Sequence, residues 1–132
     1  MGLTLWEFLE KTNVGGRYTN SDLKYSLMEK KLKSLEKDKV RELEKEWFEE
    51  WRKLTRHKEY GKLHWSDGGY VTTSDDGFYM DHGSWVLAQG KGLVDDFYKR
   101  GAIAVVEYIE RNSVDEDDYM YECLGYPFSN VR

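Results

Sequence analysis

The sequence predicts an all-α fold, a compact multi-helix domain, and three observations carry that reading. Apolar side chains recur every three or four positions through most of the chain. Residues that cap helices stand just ahead of three of these runs. Only Tyr70-Val71-Thr72-Thr73 leans toward a strand. The length of 132 residues suits a single domain spanning 1–132 with one core.

Thr4-Leu5-Trp6-Glu7 matches a capping box. It predicts a first helix over about 5–12, stopped by Gly15-Gly16, with Trp6 and Leu9 on its docking side. Asn20 or Ser21 caps a second helix reaching about Lys33, where Leu23, Leu27 and Leu32 recur with Met28 beside them. Ser34 marks a break. Val40, Leu43, Trp47, Trp51 and Leu54 then step at helical spacing along a long helix over about 36–58. Two adjacent amphipathic helices with a short link predict an antiparallel pair.

Composition changes at Gly61. His64-Trp65, Gly68-Gly69 and the segment 70–73 predict a structured loop with one short strand or hairpin near 68–74. Ser74 offers a capping side chain, and Asp75 and Asp76 supply acids for the first turn of the next helix. That helix carries Phe78, Trp85 and Val86 and ends at Gln89-Gly90. Leu93, Phe97 and Tyr98 predict a short helix stopping at Gly101. Ile103, Val106 and Ile109, with Val105, predict the last clear one, ending near Asn112. Residues beyond it read as a tail.

Composition narrows the function classes. Hydrophobic residues make up 39% and aromatic residues 15%, so large rings supply much of the core despite a charged content of 34%. No run approaches the roughly 20 apolar residues of a membrane span, so no membrane partner is expected. The first residues lack a basic segment followed by an apolar run, and Trp6 stands where a myristoylation signal needs Ser or Thr. Cys123 is the only cysteine, which rules out an intrachain disulfide. These features predict a reducing, cytoplasmic setting. Charge divides unevenly: residues 22–62 carry 13 basic and 10 acidic side chains, residues 63–132 carry 5 and 13. Basic residues are interleaved with glutamates rather than gathered, so no nucleic acid is expected. The acidic half suits a basic protein partner.

Motif chemistry is sparse. Gly68-Gly69 lacks the remaining glycines of a phosphate cradle, and Ser84 lacks the nucleophile-elbow glycine because position 86 is Val86. His64, His82, Asp75, Asp76 and Asp81 are the candidate ligands for a divalent ion in a metal-assisted hydrolase. Their spacing opposes it, since neighbouring helical residues project about 100° apart. No cofactor is expected. Cys123 reads as packing, and Trp47 and Trp51 read as core. Asp115, Glu116, Asp117 and Asp118 with Tyr119 and Tyr121 form a candidate binding surface in the tail, because tyrosine is a favoured interface anchor.

Gly68-Gly69, then Ser74-Asp75-Asp76-Gly77-Phe78, then Trp85-Val86-Leu87-Ala88-Gln89-Gly90 resemble a bacterial family, the domain of unknown function 4240 family. The resemblance centres on residues 68–90. Here the link from Gly69 to Ser74 is longer than the family pattern, and the distance from Phe78 to Trp85 exceeds it by one residue. Gly83 or Ser84 also stands where the pattern has a basic residue. The resemblance implies a bacterial, cytoplasmic, largely helical domain and supplies no catalytic residues. The leading expectation is therefore a non-enzymatic protein-binding domain, of which an immunity-type or other cognate inhibitor is one form. The metal-assisted hydrolase is the alternative, and nucleic-acid binding ranks last.

Overall fold

The computed structural model describes residues 2–131. Among them eight α-helices are joined by short 3₁₀ and π segments, and no strand forms. Helix α1 (Leu5–Lys11) begins with the capping box: Thr4 Oγ1 accepts from the Glu7 amide at 3.2 Å, and the Glu7 carboxylate accepts from the Thr4 amide at 3.1 Å. Leu5, Phe8 and Leu9 are buried, and Trp6 is half-buried at the edge.

Helix α2 (Ser21–Lys33) is capped by Asn20, whose Oδ1 accepts from the Leu23 amide at 3.0 Å. Its inward stripe differs from the leucine-based expectation. Ser21, Lys24, Met28 and Leu32 are buried, while Leu23 is 42% exposed. Met28 and Leu32 set the face, and position 24 falls on it four residues before Met28; Leu23 and Leu27 lie one place behind. A lysine thus occupies a core position.

After the turn at Ser34, helix α3 (Lys37–Arg56) buries Val40, Leu43, Trp47 and Leu54, with Trp51 half-buried. The predicted stripe is the observed one. The expected antiparallel pair of α2 and α3 is not a principal contact of the fold; the last helix, α8 (Tyr126–Val131), packs on both and stands in its place. Phe128 of α8 places its ring 5.8 Å from Phe8 and 5.3 Å from Trp47.

Between Tyr60 and Thr73 the chain makes 3₁₀ turns at Tyr60–Leu63 and Trp65–Asp67. In place of the strand or hairpin expected near 68–74, one bridge joins His64 and Val71. Its backbone bonds run from the Val71 amide to Leu63 O at 3.0 Å and from the Trp65 amide to Val71 O at 2.9 Å. Gly68 has φ of 93°, and a Cβ on Gly69 would lie 2.1 Å from the Leu63 carbonyl. The loop itself demands this pair of glycines.

Asp75 to Ala88 is one continuous helical run. The stretch Gly77–His82 is wound as a π-helix, so the Gly83 amide reaches back five residues to Phe78 O. The α-helical remainder is α4 (Gly83–Ala88), buried on every side and packed against α3 and α5. Ser74 opens this run through its carbonyl, which accepts from the Phe78 amide at 2.9 Å. Its hydroxyl makes no capping bond, a correction to the expected cap. Asp75 and Asp76 occupy the first turn, exposed.

Helices α5 (Lys91–Arg100) and α6 (Ala102–Asn112) pack on each other across Gly101. Leu93, Val94, Phe97, Ala104 and Val105 face inward. Ile103 and Tyr98, expected in these apolar faces, are 49% and 37% exposed. The tail holds two more helices, α7 (Glu116–Tyr119) and α8. Pro127 sits in the first turn of α8, where a missing amide costs nothing.

Candidate functional site

His82 stands at the centre of the aromatic cluster and is wholly buried. Its hydrogen bonds can be assigned by counting donors. The Tyr60 hydroxyl donates to Phe78 O at 2.6 Å, so its proton is committed. Tyr60 Oη therefore accepts from His82 Nδ1–H at 3.2 Å, and Nε2 accepts the Tyr70 hydroxyl at 2.6 Å. Phe78 stacks on the imidazole at 5.9 Å and Tyr119 meets it edge-on at 5.9 Å. Burial pushes the His82 pKa down to about 3 and raises that of the Tyr60 hydroxyl. The ring is neutral, its two nitrogens are occupied, and no solvent reaches it. This is a packing cage rather than a reaction centre.

The other candidate metal ligands lie elsewhere. His64 directs Nε2 to Thr73 O at 3.0 Å and Nδ1 to Ser66 Oγ at 2.8 Å, so both of its nitrogens are also used. Asp75 and Asp76 face solvent. Asp81 accepts from the Cys123 amide at 3.0 Å, and partial burial raises its pKa. Among the described residues no three His, Cys, Asp or Glu side chains come together around one point. The convergence a metal-assisted hydrolase needs is therefore not found among them.

The tail residues expected as an exposed binding surface are largely committed to the fold. Asp118 Oδ1 accepts from the Ser21 amide at 2.7 Å, its carbonyl accepts from Ser21 Oγ at 2.7 Å, and Oδ2 accepts from the Tyr18 hydroxyl. Asp115 caps α7 by accepting from the Asp118 amide. Tyr119 is half-buried against Tyr70 at 5.0 Å, and the Tyr121 hydroxyl donates to Asp22 Oδ1 at 3.1 Å. Only Glu116 and Asp117 remain exposed without such bonds.

The motif residues are likewise structural. Trp85 is fully buried beside His82 and Tyr108, and Gly90 ends the helical run with φ of 107°.

A different surface combines exposure with apolar character. Phe48 on α3, Met80 in the π segment and Tyr126 on α8 are 39%, 39% and 44% exposed, and they surround one dimple. Its floor is Trp47, Ser84 and Cys123, and Trp51 forms a wall, held by its Nε1–H donating to Tyr79 O at 2.9 Å. Volume there is about 80 Å³. That is far below the roughly 300 Å³ at which small-molecule pockets begin. It accommodates a single small apolar side chain. Carboxylates stand around it: the Tyr126 pKa is raised by Cys123 first and then by burial, Glu122 and Asp81, and Glu44 accepts from Ser129 Oγ of the same dimple at 3.5 Å.

No family model, curated protein or solved structure matches this chain.

Sequence reasoning missed the dimple because its parts come from positions 48, 80 and 126, each unremarkable alone. The one local signal was the placement of Phe48 and Met80 off the core stripe of otherwise amphipathic segments.

Proposed function

We propose that this chain is a non-enzymatic protein-binding domain whose partner is a basic protein that seats an apolar side chain in the Phe48–Met80–Tyr126 dimple. The observation that carries the reading is the meeting of three large exposed apolar side chains, from three separate elements, around a hole sized for one residue. Exposed apolar groups scattered singly need no explanation, but a cluster around a depression does. Carboxylates at the edge and a formal net charge of −5 favour a cationic partner in encounter and in register. An immunity-type or other cognate inhibitor fits this description, with a toxin as its basic partner. The resemblance to the domain of unknown function 4240 family implies a bacterial, largely helical domain and adds no activity.

The test is affinity capture from host lysate, using the wild-type chain and a Phe48→Asp/Met80→Asp variant. Both replaced side chains are partly exposed, so the variant is expected to keep its thermal transition. The wild type is expected to retain one basic protein stoichiometrically at low salt and less of it at high salt. Capture that survives the double substitution, or the absence of any stoichiometric basic partner, overturns the reading. A gene encoding a toxin-like protein beside this one supports the inhibitor form.

A further inference from the structure

A groove lies away from the dimple, between the loop that follows α1, the start of α5 and the end of α6. It encloses about 770 Å³, within the range of about 300–1,000 Å³ typical of small-molecule sites. Arg17 enters from the loop and Arg111 from α6. Arg111 sits over the Tyr108 ring with Cζ 5.6 Å from its centre, and among the described residues neither guanidinium makes an ion pair or a side-chain hydrogen bond to protein.

The groove is rich in free donors, and its one carboxylate is already paired. Asn13 Oδ1 accepts from Lys24 Nζ at 2.8 Å, which leaves the two N–H donors of the Asn13 amide unused at the groove wall. Asp96, the carboxylate of this groove, feels Arg111, but its two oxygens are held by Arg100 at 2.7 Å each. Gln89 Oε1 is taken by the Tyr108 hydroxyl at 2.9 Å. Ten donors on two guanidiniums and two on an amide thus line a cavity whose one carboxylate is already ion-paired with Arg100. Gly92 borders the same space. A Cβ there would meet nothing within 4 Å, and its φ is not left-handed, so neither crowding nor strain calls for glycine. The absence of a side chain keeps the groove wide.

We infer that this groove is a binding site for a small oxyanion-bearing molecule, clamped between Arg17 and Arg111. Guanidinium groups match planar or tetrahedral oxyanions through paired N–H bonds, and the Asn13 amide supplies a third point. Phosphate and carboxylate groups share this chemistry. The inference goes beyond the protein-docking reading and is independent of it, because it uses none of the dimple residues.

Titrating the isotope-labelled full chain with inorganic phosphate, and separately with citrate, tests the assignment and distinguishes the two sources. Saturable shifts of the Arg17, Gly92 and Ser113 amide resonances are expected with at least one probe. Arg17→Gln/Arg111→Gln replaces two exposed side chains, so the melting temperature is expected to stay unchanged while affinity falls by at least about tenfold. Gly92→Leu fills the groove without altering charge and is expected to weaken binding as well. Linear, unsaturable shifts with both probes overturn the inference. So does wild-type affinity in either variant.

Discussion

At the scale of single residues, two buried bases tie stability to pH. Lys24 is 2% exposed, and its Nζ donates to Leu9 O at 2.6 Å and to Asn13 Oδ1 at 2.8 Å. Both partners are neutral, so burial is uncompensated and lowers the lysine pKa from 10.5 to about 7. His82 is lowered from 6.5 to about 3 by the same cause. For each group the unfolded chain binds the proton more tightly. Their stabilising contributions are therefore complete above the unfolded values and are lost as pH falls through the folded ones. Urea midpoints are expected to rise between pH 4 and 6 through His82, and again between pH 7 and 10 through Lys24. Lys24→Met is expected to flatten the upper limb and to raise the midpoint at pH 6, because a desolvated ammonium is replaced by an apolar group of similar length. Leu9 O keeps a partner in the Thr12 hydroxyl at 2.8 Å. An upper limb of unchanged slope in Lys24→Met assigns the pH dependence to other groups.

At the scale of elements, the π-wound stretch Gly77–His82 decides how the central helix meets its neighbours. One additional residue in the turn sets Phe78 and His82 into the tyrosine cage while Trp85 turns toward Tyr18 and Tyr108. Gly83 follows directly, and a Cβ on it would stand 2.9 Å from Thr55 Cγ2 and 3.1 Å from Trp51 Nε1. Alanine in a free helix is normally favourable, but here it drives α3 away from α4. Gly83→Ala is expected to cost about 1–3 kcal/mol, readable as a lower denaturation midpoint with an unchanged slope. A neutral or stabilising outcome would show that Trp51 and Thr55 yield freely.

At the scale of the whole molecule, the chain's end closes the core. The Phe128 ring fills the space between Phe8 of α1 and Trp47 of α3, and α8 packs against both α2 and α3. Asp118 and Tyr121 bind Ser21 and Asp22, tying positions about a hundred apart in sequence. Buried residues form one cluster that includes all three regions. Phe128→Ala is expected to cost about 3–5 kcal/mol and to lower the single thermal transition rather than split it. A separate early transition would show that α8 is an appendage. No helix among the described residues is long and apolar enough to cross a membrane.

Local pattern determined the helical class, the Thr4–Glu7 box, the break at Ser34 and the stripe from Val40 to Leu54, because spacing and caps are properties of neighbouring residues. Long-range packing decided the rest. Helices of four and six residues, such as α7 and α8, are not stable on their own and leave little periodicity to read. Whether Lys24 or Leu23 turns inward depends on what α8 and α1 place opposite α2. Closure of the cage around His82, and the meeting of Phe48, Met80 and Tyr126 at one dimple, likewise exist only once distant segments are brought together. A residue's type reveals the chemistry it can perform, whereas its burial and its partners, which select among those possibilities, are set by side chains elsewhere in the chain.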